Sequence, residues 1–98
     1  MNVTKTISGS GMTVAVGGKI DSVSAPKLEK DLAASLDGIT SLVIDMKDVE
    51  YISSACLRVL LYLQQIMDER GTMVIRNVPP AVESIFEATG FYNVVTVV

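Results

Sequence analysis

Two short apolar runs on either side of a long helical segment constrain this fold more than any other feature of the sequence. Residues 42–44 and 72–76 are too short for helices and are typical of central strands. We interpret the first run, which ends at Asp45, as buried on both faces of a sheet. Between them, residues 54–70 carry apolar side chains at helical spacing, and Gly71 ends the segment. This order predicts a βαβ unit with parallel strands and a right-handed crossover.

The N-terminal residues have the alternation of an antiparallel pair of strands. Residues 3–8 alternate in polarity, residues 9–11 form a Gly-Ser-Gly turn, and residues 12–16 alternate again. We predict that this second strand ends at Gly17 and Gly18.

Two further helices are indicated by caps, stops and apolar stripes. The first is expected to begin at Ser24, whose hydroxyl would cap it, and to stop at Gly38. The third opens at Pro79-Pro80 and stops at Gly90, and residues 91–98 then supply a last strand or a docking tail. The stripes are Ala25, Leu28, Leu32 and Leu36 in the first helix, and Val82, Ile85, Phe86 and Thr89 in the third. The predicted fold class is α/β, one domain over residues 1–98, with a mixed β-sheet covered by about three amphipathic helices in the order β-β-α-β-α-β-α-β.

Composition argues against several classes of function. The chain has no histidine, which removes His-dependent triads and His metal ligands, and its one cysteine can form neither an internal disulfide nor a Cys-cluster metal site. The net charge of −3 argues against nucleic-acid binding. Neither a signal peptide nor a run of ~18 apolar residues is present. We expect a cytoplasmic binding protein that is not an enzyme, uses no cofactor and does not insert directly into a membrane.

Ser53 and Ser54 open the second helix, where unpaired amides and the helix dipole favour an anion. On one interpretation, which position alone favours, one serine caps the helix and the other fills space. On the other, one hydroxyl accepts a phosphoryl group, which carries about −1.5 to −2 charges at pH 7.

The second helix carries two stripes. The inward stripe consists of Cys56, Val59, Leu60, Leu63, Ile66 and Met67. The outward stripe consists of Arg58, Leu61, Tyr62, Gln65 and Glu69. Arginine and tyrosine are frequent anchors of protein interfaces, so the outward stripe is a candidate docking surface. Leu61 and Tyr62 packing under neighbouring loops is an equally good interpretation.

Four polar residues and the cysteine each allow a structural and a functional interpretation. Asp21, Ser22 and Ser24 form either an ordinary polar turn or part of a site beside the start of the second helix. Asp45 is either a loop-capping carboxylate or an acid at a strand end, where α/β folds place ligand sites. Cys56 is expected to be a buried apolar residue, since no histidine is available to activate it.

The motifs resemble those of STAS domains, which include the bacterial anti-sigma-factor antagonists. GKIDSVSAPKL at residues 18–28 is similar to the first signature of the family. VIDMKDV followed by YISSACLRVL, at residues 43–49 and 51–60, is similar to the second and more diagnostic one. GTMVI, VPPAV and FEATGF at residues 71–75, 78–82 and 86–91 extend the resemblance over nearly the full chain.

The resemblance implies a protein that works by partner switching. Antagonists of this family bind an anti-sigma factor that is also a serine kinase, and so release a sigma factor; a PP2C-type phosphatase reverses the phosphorylation. The phosphoacceptor position falls on Ser54, and Ser53 lies where many members have aspartate. Asp21 matches an acidic position near the kinase interface, Asp45 matches the strand-end acid, and Cys56 stands at a common glycine position. The partner-binding residues are then expected to be Asp21, Ser22, Ser24, Ser53, Ser54, Arg58, Leu61, Tyr62 and Gln65.

Other functions remain open at this stage. The main alternative is a STAS subunit of a membrane transport complex, for instance one attached to a lipid-transporting ATPase, which would use a similar surface without phosphorylation. A scaffold of a stress-signalling assembly would usually carry an extra sensor domain. An enzyme with Cys56 or Ser54 as nucleophile would need a base that the sequence does not place beside either residue.

Overall fold

The computed structural model describes residues 1–98, which form five strands, three α-helices and one 3₁₀ turn. In chain order they are β1 (Asn2–Ser8), β2 (Gly11–Ile20), α1 (Ser24–Ser35), β3 (Ser41–Ile52), α2 (Ser54–Asp68), β4 (Thr72–Arg76), α3 (Pro80–Thr89), the 3₁₀ turn (Phe91–Asn93) and β5 (Thr96–Val97). The order of strands and helices is the predicted one.

The five strands form one mixed sheet in the order β1-β2-β3-β4-β5. β1 pairs with β2 antiparallel, and β2, β3, β4 and β5 pair in parallel. The antiparallel N-terminal pair is therefore confirmed. So is the βαβ unit, because β3 and β4 are parallel neighbours joined through α2.

β2 and β3 are longer than predicted. β2 does not end at its two glycines but continues to Ile20, and its register against β3 shifts on either side of Gly17 and Gly18. Gly18 has a φ of +80°, which favours glycine, so the pair marks an irregularity within the strand rather than its end. β3 likewise continues past Asp45 to Ile52, pairing with β2 along that length.

The core lies on one face of the sheet. In β3, Leu42, Ile44 and Met46 are buried, whereas Val43 between them is only half-buried; in β4, Val74 is likewise half-buried between two buried residues. Residues 42–44 are therefore not buried on both faces, and that interpretation is wrong. The physical reason is that the buried residues of the sheet and of all three helices join in one cluster, which leaves the opposite face without a covering layer.

The helices bury most of the predicted stripes. Buried are Ala25, Leu28, Leu32 and Leu36 at α1, Cys56, Val59, Leu60, Leu63 and Met67 in α2, and Val82 and Phe86 in α3. Ile66 and Ile85 are half-buried. Thr89 is exposed, and its hydroxyl donates a hydrogen bond to the carbonyl of Ile85 within α3. Gly90 ends α3 with a left-handed φ of 69°, as its position indicated.

The C-terminal segment packs against the core and also pairs with the sheet as a short strand. Phe91 and Val95 are buried, and β5 adds two residues to the edge of the sheet beside β4. None of the helices has the length and apolar character needed to cross a membrane.

Candidate functional site

The ends of β2 and β3 bring two loops together. Ile20 and Ile52 are partners in the parallel ladder, and the amide of Ser53 donates a hydrogen bond of 2.9 Å to the carbonyl oxygen of Ile20. The turn that begins at Asp21 therefore lies beside the start of α2, where Ser54 is found. This placement is the one that the second interpretation of the Asp21 turn, as a neighbour of the start of the second helix, requires.

Ser54 is exposed at the first position of α2, and its neighbour Ser53 is not. No side chain caps α2, although Ser53 occupies the cap position with an extended backbone. The Ser53 hydroxyl oxygen is buried without a hydrogen-bond partner. The capping interpretation is therefore wrong for both serines, because one hydroxyl is turned into the protein and the other outward.

Asp21, not Ser24, caps α1. The carbonyl of Asp21 accepts a hydrogen bond from the amide of Ala25, so helical bonding starts before Ser24. The Asp21 carboxylate accepts hydrogen bonds from the backbone amides of Val23 and Ser24, at 3.0 and 2.8 Å. In return, the Ser24 hydroxyl oxygen accepts a hydrogen bond of 2.9 Å from the backbone amide of Asp21. The prediction of Ser24 as the cap is wrong because the side chain three residues earlier already satisfies these amides.

This cap also fixes the charge of Asp21. Hydrogen bonds from the Ser24 amide and hydroxyl, and from the Val23 amide, lower the pKa of the Asp21 carboxyl below its usual value. The carboxylate is thus ionised and held by its own turn. Ser22 between these residues is exposed.

The outward stripe of α2 is exposed along its length. We use the name docking stripe for six exposed residues on one side of α2: Ser54, Arg58, Leu61, Tyr62, Gln65 and Glu69. Leu61 is 38% exposed and Tyr62 is 44% exposed. The interpretation in which these two side chains pack under neighbouring loops is therefore wrong. The stripe offers apolar, polar and cationic groups on one helical face, as a protein interface requires.

Two exposed apolar residues near the stripe were missed in the sequence. Val23, in the turn before α1, is 68% exposed, and Tyr51, at the end of β3, is 50% exposed. The only signal for Val23 is its position between two serines, and Tyr51 lies in the part of β3 beyond Asp45, where the predicted apolar run ends. Both lie in the segments that meet at Ser53 and Ile20.

A shallow cleft of about 140 Å³ separates α1 from α2 next to the docking stripe. Its lining consists of Ala25, Pro26, Glu29, Ala55, Arg58 and Val59. Two side chains of opposite charge, Glu29 and Arg58, border this mainly small and apolar lining. Neither forms an ion pair, since the two ion pairs of the protein are Lys5–Asp31 and Arg76–Asp45.

Asp45 does not belong to this site. It lies within β3 rather than at its end, seven residues before Ile52, which is roughly 23 Å along a strand. Its carboxylate accepts hydrogen bonds from the Lys47 backbone amide and the Asn77 side-chain amide, and it forms an ion pair with Arg76. Although partial burial opposes ionisation, these contacts lower the pKa of Asp45. The strand-end assignment is thus wrong because β3 continues to Ile52, and Asp45 instead holds the Lys47 amide within the strand and the Asn77 side chain just after β4.

Cys56 faces the core and leaves the docking stripe unobstructed. Its side chain is fully buried, and burial raises the pKa of its thiol to about 12. Cys56 therefore adds volume inside the protein and none at the exposed start of α2.

We expect Cys56 not to react with an aromatic disulfide reagent while the protein is folded. Both burial and the raised pKa suppress the reactive thiolate. The absorbance of the released thiol should show one equivalent per chain in denaturant and almost none in native buffer. Stoichiometric labelling of the native protein at the rate of a free thiol would contradict the burial of Cys56 and would favour the hypothesis that Cys56 is a nucleophile.

Comparisons with known proteins agree with this architecture. A family model described as Mlab, STAS domain, matches residues 3–96. A Bordetella bronchiseptica protein named as the anti-sigma factor antagonist BtrV is 39% identical over 87 residues, which are 86% of this chain and 75% of the relative.

Solved structures of similar proteins share the fold. An anti-sigma factor antagonist from Mycobacterium paratuberculosis has a TM-score of 0.88 and 26% identity, covering 98% of this chain and 83% of that one. The antagonist SpoIIAA in its unphosphorylated form has a TM-score of 0.85 and 11% identity, over 99% and 88% of the two chains. The Bacillus SpoIIAA in its phosphorylated form has a TM-score of 0.77 and 10% identity, over 99% and 91%.

Proposed function

This chain belongs to the STAS domain family, and from this premise we propose that it is an anti-sigma factor antagonist switched by phosphorylation of Ser54. It is a binding protein, not an enzyme. Its partner is an anti-sigma factor that is also a serine kinase, and binding releases a sigma factor in the cytoplasm. The name of the 39% identical relative supports the antagonist function, and the phosphorylated form of SpoIIAA shows that one protein of this fold carries such a modification.

The observation that carries the proposal is the exposed hydroxyl of Ser54 at the head of the docking stripe. Ser54 has no capping role, so its modification breaks no hydrogen bond that the first turn of α2 requires. The neighbouring Ser53 hydroxyl is buried and out of reach of a kinase. Phosphorylation at this point therefore changes the surface while the fold is kept.

The chemistry is a reversible transfer at one oxygen. The kinase transfers the γ-phosphoryl group of ATP to the Ser54 oxygen, which loses its proton, and ADP leaves. A PP2C-type phosphatase then uses water to hydrolyse the phosphoserine, which restores the hydroxyl and releases inorganic phosphate.

Phosphate at Ser54 opposes docking through its charge. The added charge is about −1.5 to −2, and an interface fitted to a neutral hydroxyl would have to bury it. Unpaired buried charges in interfaces often cost ~2–5 kcal/mol, which corresponds to roughly 30- to 5000-fold in affinity. This range is wide enough for a switch between bound and released partners.

We expect Ser54→Asp to weaken binding to the anti-sigma factor by roughly 30-fold or more. Ser54→Ala should bind like the parent, because it removes the hydroxyl without adding charge. Ser84→Asp is the matched control, since Ser84 is an exposed serine on α3 away from the docking stripe. Isothermal titration calorimetry gives the affinities of the parent and the three variants, and equal binding by Ser54→Asp and the parent would contradict the switch.

Phosphosite mapping separates this function from the main alternative. Incubation with candidate anti-sigma factor kinases and ATP, followed by mass spectrometry, should place one phosphate on Ser54 in the parent and none in Ser54→Ala. A STAS subunit of a membrane transport complex would instead stay unmodified and bind its transporter constitutively. Absence of phosphate with every such kinase, together with stable binding to a transport ATPase, would favour that alternative.

A further inference from the structure

Arg58 is a cation without an anionic partner. It is exposed, borders the cleft between α1 and α2, and has no carboxylate oxygen within 4.0 Å, although Glu29 lines the same cleft. It is also the only cation of the docking stripe. An arginine in this position can bind an anion on a partner or on the chain itself.

The spacing from Ser54 suits an anion on the chain itself. Residues four apart on a helix lie on the same face with their Cβ atoms about 6 Å apart, and the favourable order has the negative group nearer the N-terminus. Ser54 precedes Arg58 by four residues and is the first residue of α2. The planar guanidinium can donate two parallel hydrogen bonds to phosphate oxygens.

We propose that Arg58 binds the phosphate of phosphorylated Ser54 within the same chain. The pair forms at the start of α2, where the uncapped first turn and the helix dipole also favour negative charge. Phosphorylation then acts twice on the docking stripe: it adds a bulky anion, and it takes Arg58 away from any acidic group on the partner. This inference rests on the proposed role of Ser54, but its test does not require the natural kinase.

The test installs phosphoserine at position 54 during translation and follows the phosphate by ³¹P NMR during a pH titration. Because Arg58 favours the dianion, Arg58→Gln should raise the second pKa of the phosphate by about 0.15 to 0.4 relative to the parent. Arg58→Lys should give a smaller increase, since a lysine keeps the charge but loses the bidentate geometry.

Arg70→Gln is the matched control. It removes one positive charge from the segment that follows α2, about 24 Å along the helix from Ser54, and should leave the pKa of the phosphate unchanged. The other charged groups around the site are Glu29 across the cleft, Asp21 in the turn before α1 and Lys19 at the end of β2. These three stay the same in every variant.

The outcomes separate this inference from the proposed function. Equal pKa values for the phosphate in Arg58→Gln, Arg70→Gln and the parent would overturn the Arg58 interaction, even if kinases modify Ser54. A raised pKa in Arg58→Gln, with no change in Arg70→Gln, would support it, even if no kinase were found. Circular dichroism of each variant confirms that the exposed substitutions leave the fold intact.

Discussion

Gly71→Ala should lower the free energy of unfolding by about 3 kcal/mol or more. A Cβ atom at Gly71 would lie 1.9 Å from the carbonyl oxygen of Thr40 and 2.8 Å from its carbonyl carbon. These are backbone atoms, and the same oxygen accepts the amide of Thr72 at 2.9 Å where the β3–β4 ladder begins. Relieving the clash therefore separates the first residues of two central strands. Gly71 has no left-handed φ, so the effect is steric.

Gly11→Ala provides the matched control for Gly71→Ala. Gly11 begins β2, also lacks a left-handed φ, and its added Cβ would approach no atom more closely than 3.4 Å. Urea denaturation followed by circular dichroism gives the free energy of unfolding of both variants. If Gly71→Ala were as stable as Gly11→Ala, the close approach of residue 71 to Thr40 would be incorrect.

Phe86→Ala should lower the free energy of unfolding by about 3–5 kcal/mol. Phe86 is fully buried in α3 and its ring contacts two aromatic rings, Phe91 at a centroid distance of 5.1 Å and Tyr92 edge-on at 5.6 Å. Truncation removes both aromatic contacts and leaves a cavity under the C-terminal turn. The same denaturation experiment measures the loss.

Phe86→Leu is the control that shows how much of the loss in Phe86→Ala comes from the lost side-chain volume. It keeps most of the buried volume and should cost less than about 1.5 kcal/mol. A Phe86→Ala variant no less stable than Phe86→Leu would mean that this end of α3 contributes little to the core. Phe86→Ala and Phe86→Leu should both keep the affinity of the parent for the partner under conditions in which they are folded, because α3 lies outside the docking stripe.

The helices were predictable from the sequence because the spacing of their apolar residues does not depend on how the loops are built. Leu28, Leu32 and Leu36 recur every four residues, and each is buried as that pattern indicates. The strand ends were not predictable in the same way. A glycine pair such as Gly17-Gly18 ends a strand in one fold and bends it in another, and only the pairing of β2 with β3 decides between the two.

The candidate site was predictable in its position and not in its contacts. The topology alone places the Asp21 turn beside Ser54, because parallel neighbouring strands end at the same edge of a sheet. Aspartate and serine are similarly good caps, so the sequence does not decide between Asp21 and Ser24, and only the structure shows that the Asp21 carboxylate accepts the first amides. Asp45 was misplaced for a related reason, since the length of β3 is set by its neighbour.

The division of α2 between a buried and an exposed side has a consequence for how such proteins diverge. Cys56, Val59, Leu60 and Leu63 are buried and hold the helix on the sheet, whereas the residues of the docking stripe alternate with them and are exposed. Substitutions at the outer positions can therefore retune recognition at little cost in stability. Two proteins of this fold can then share one interior and differ only at a few exposed positions of a single helix.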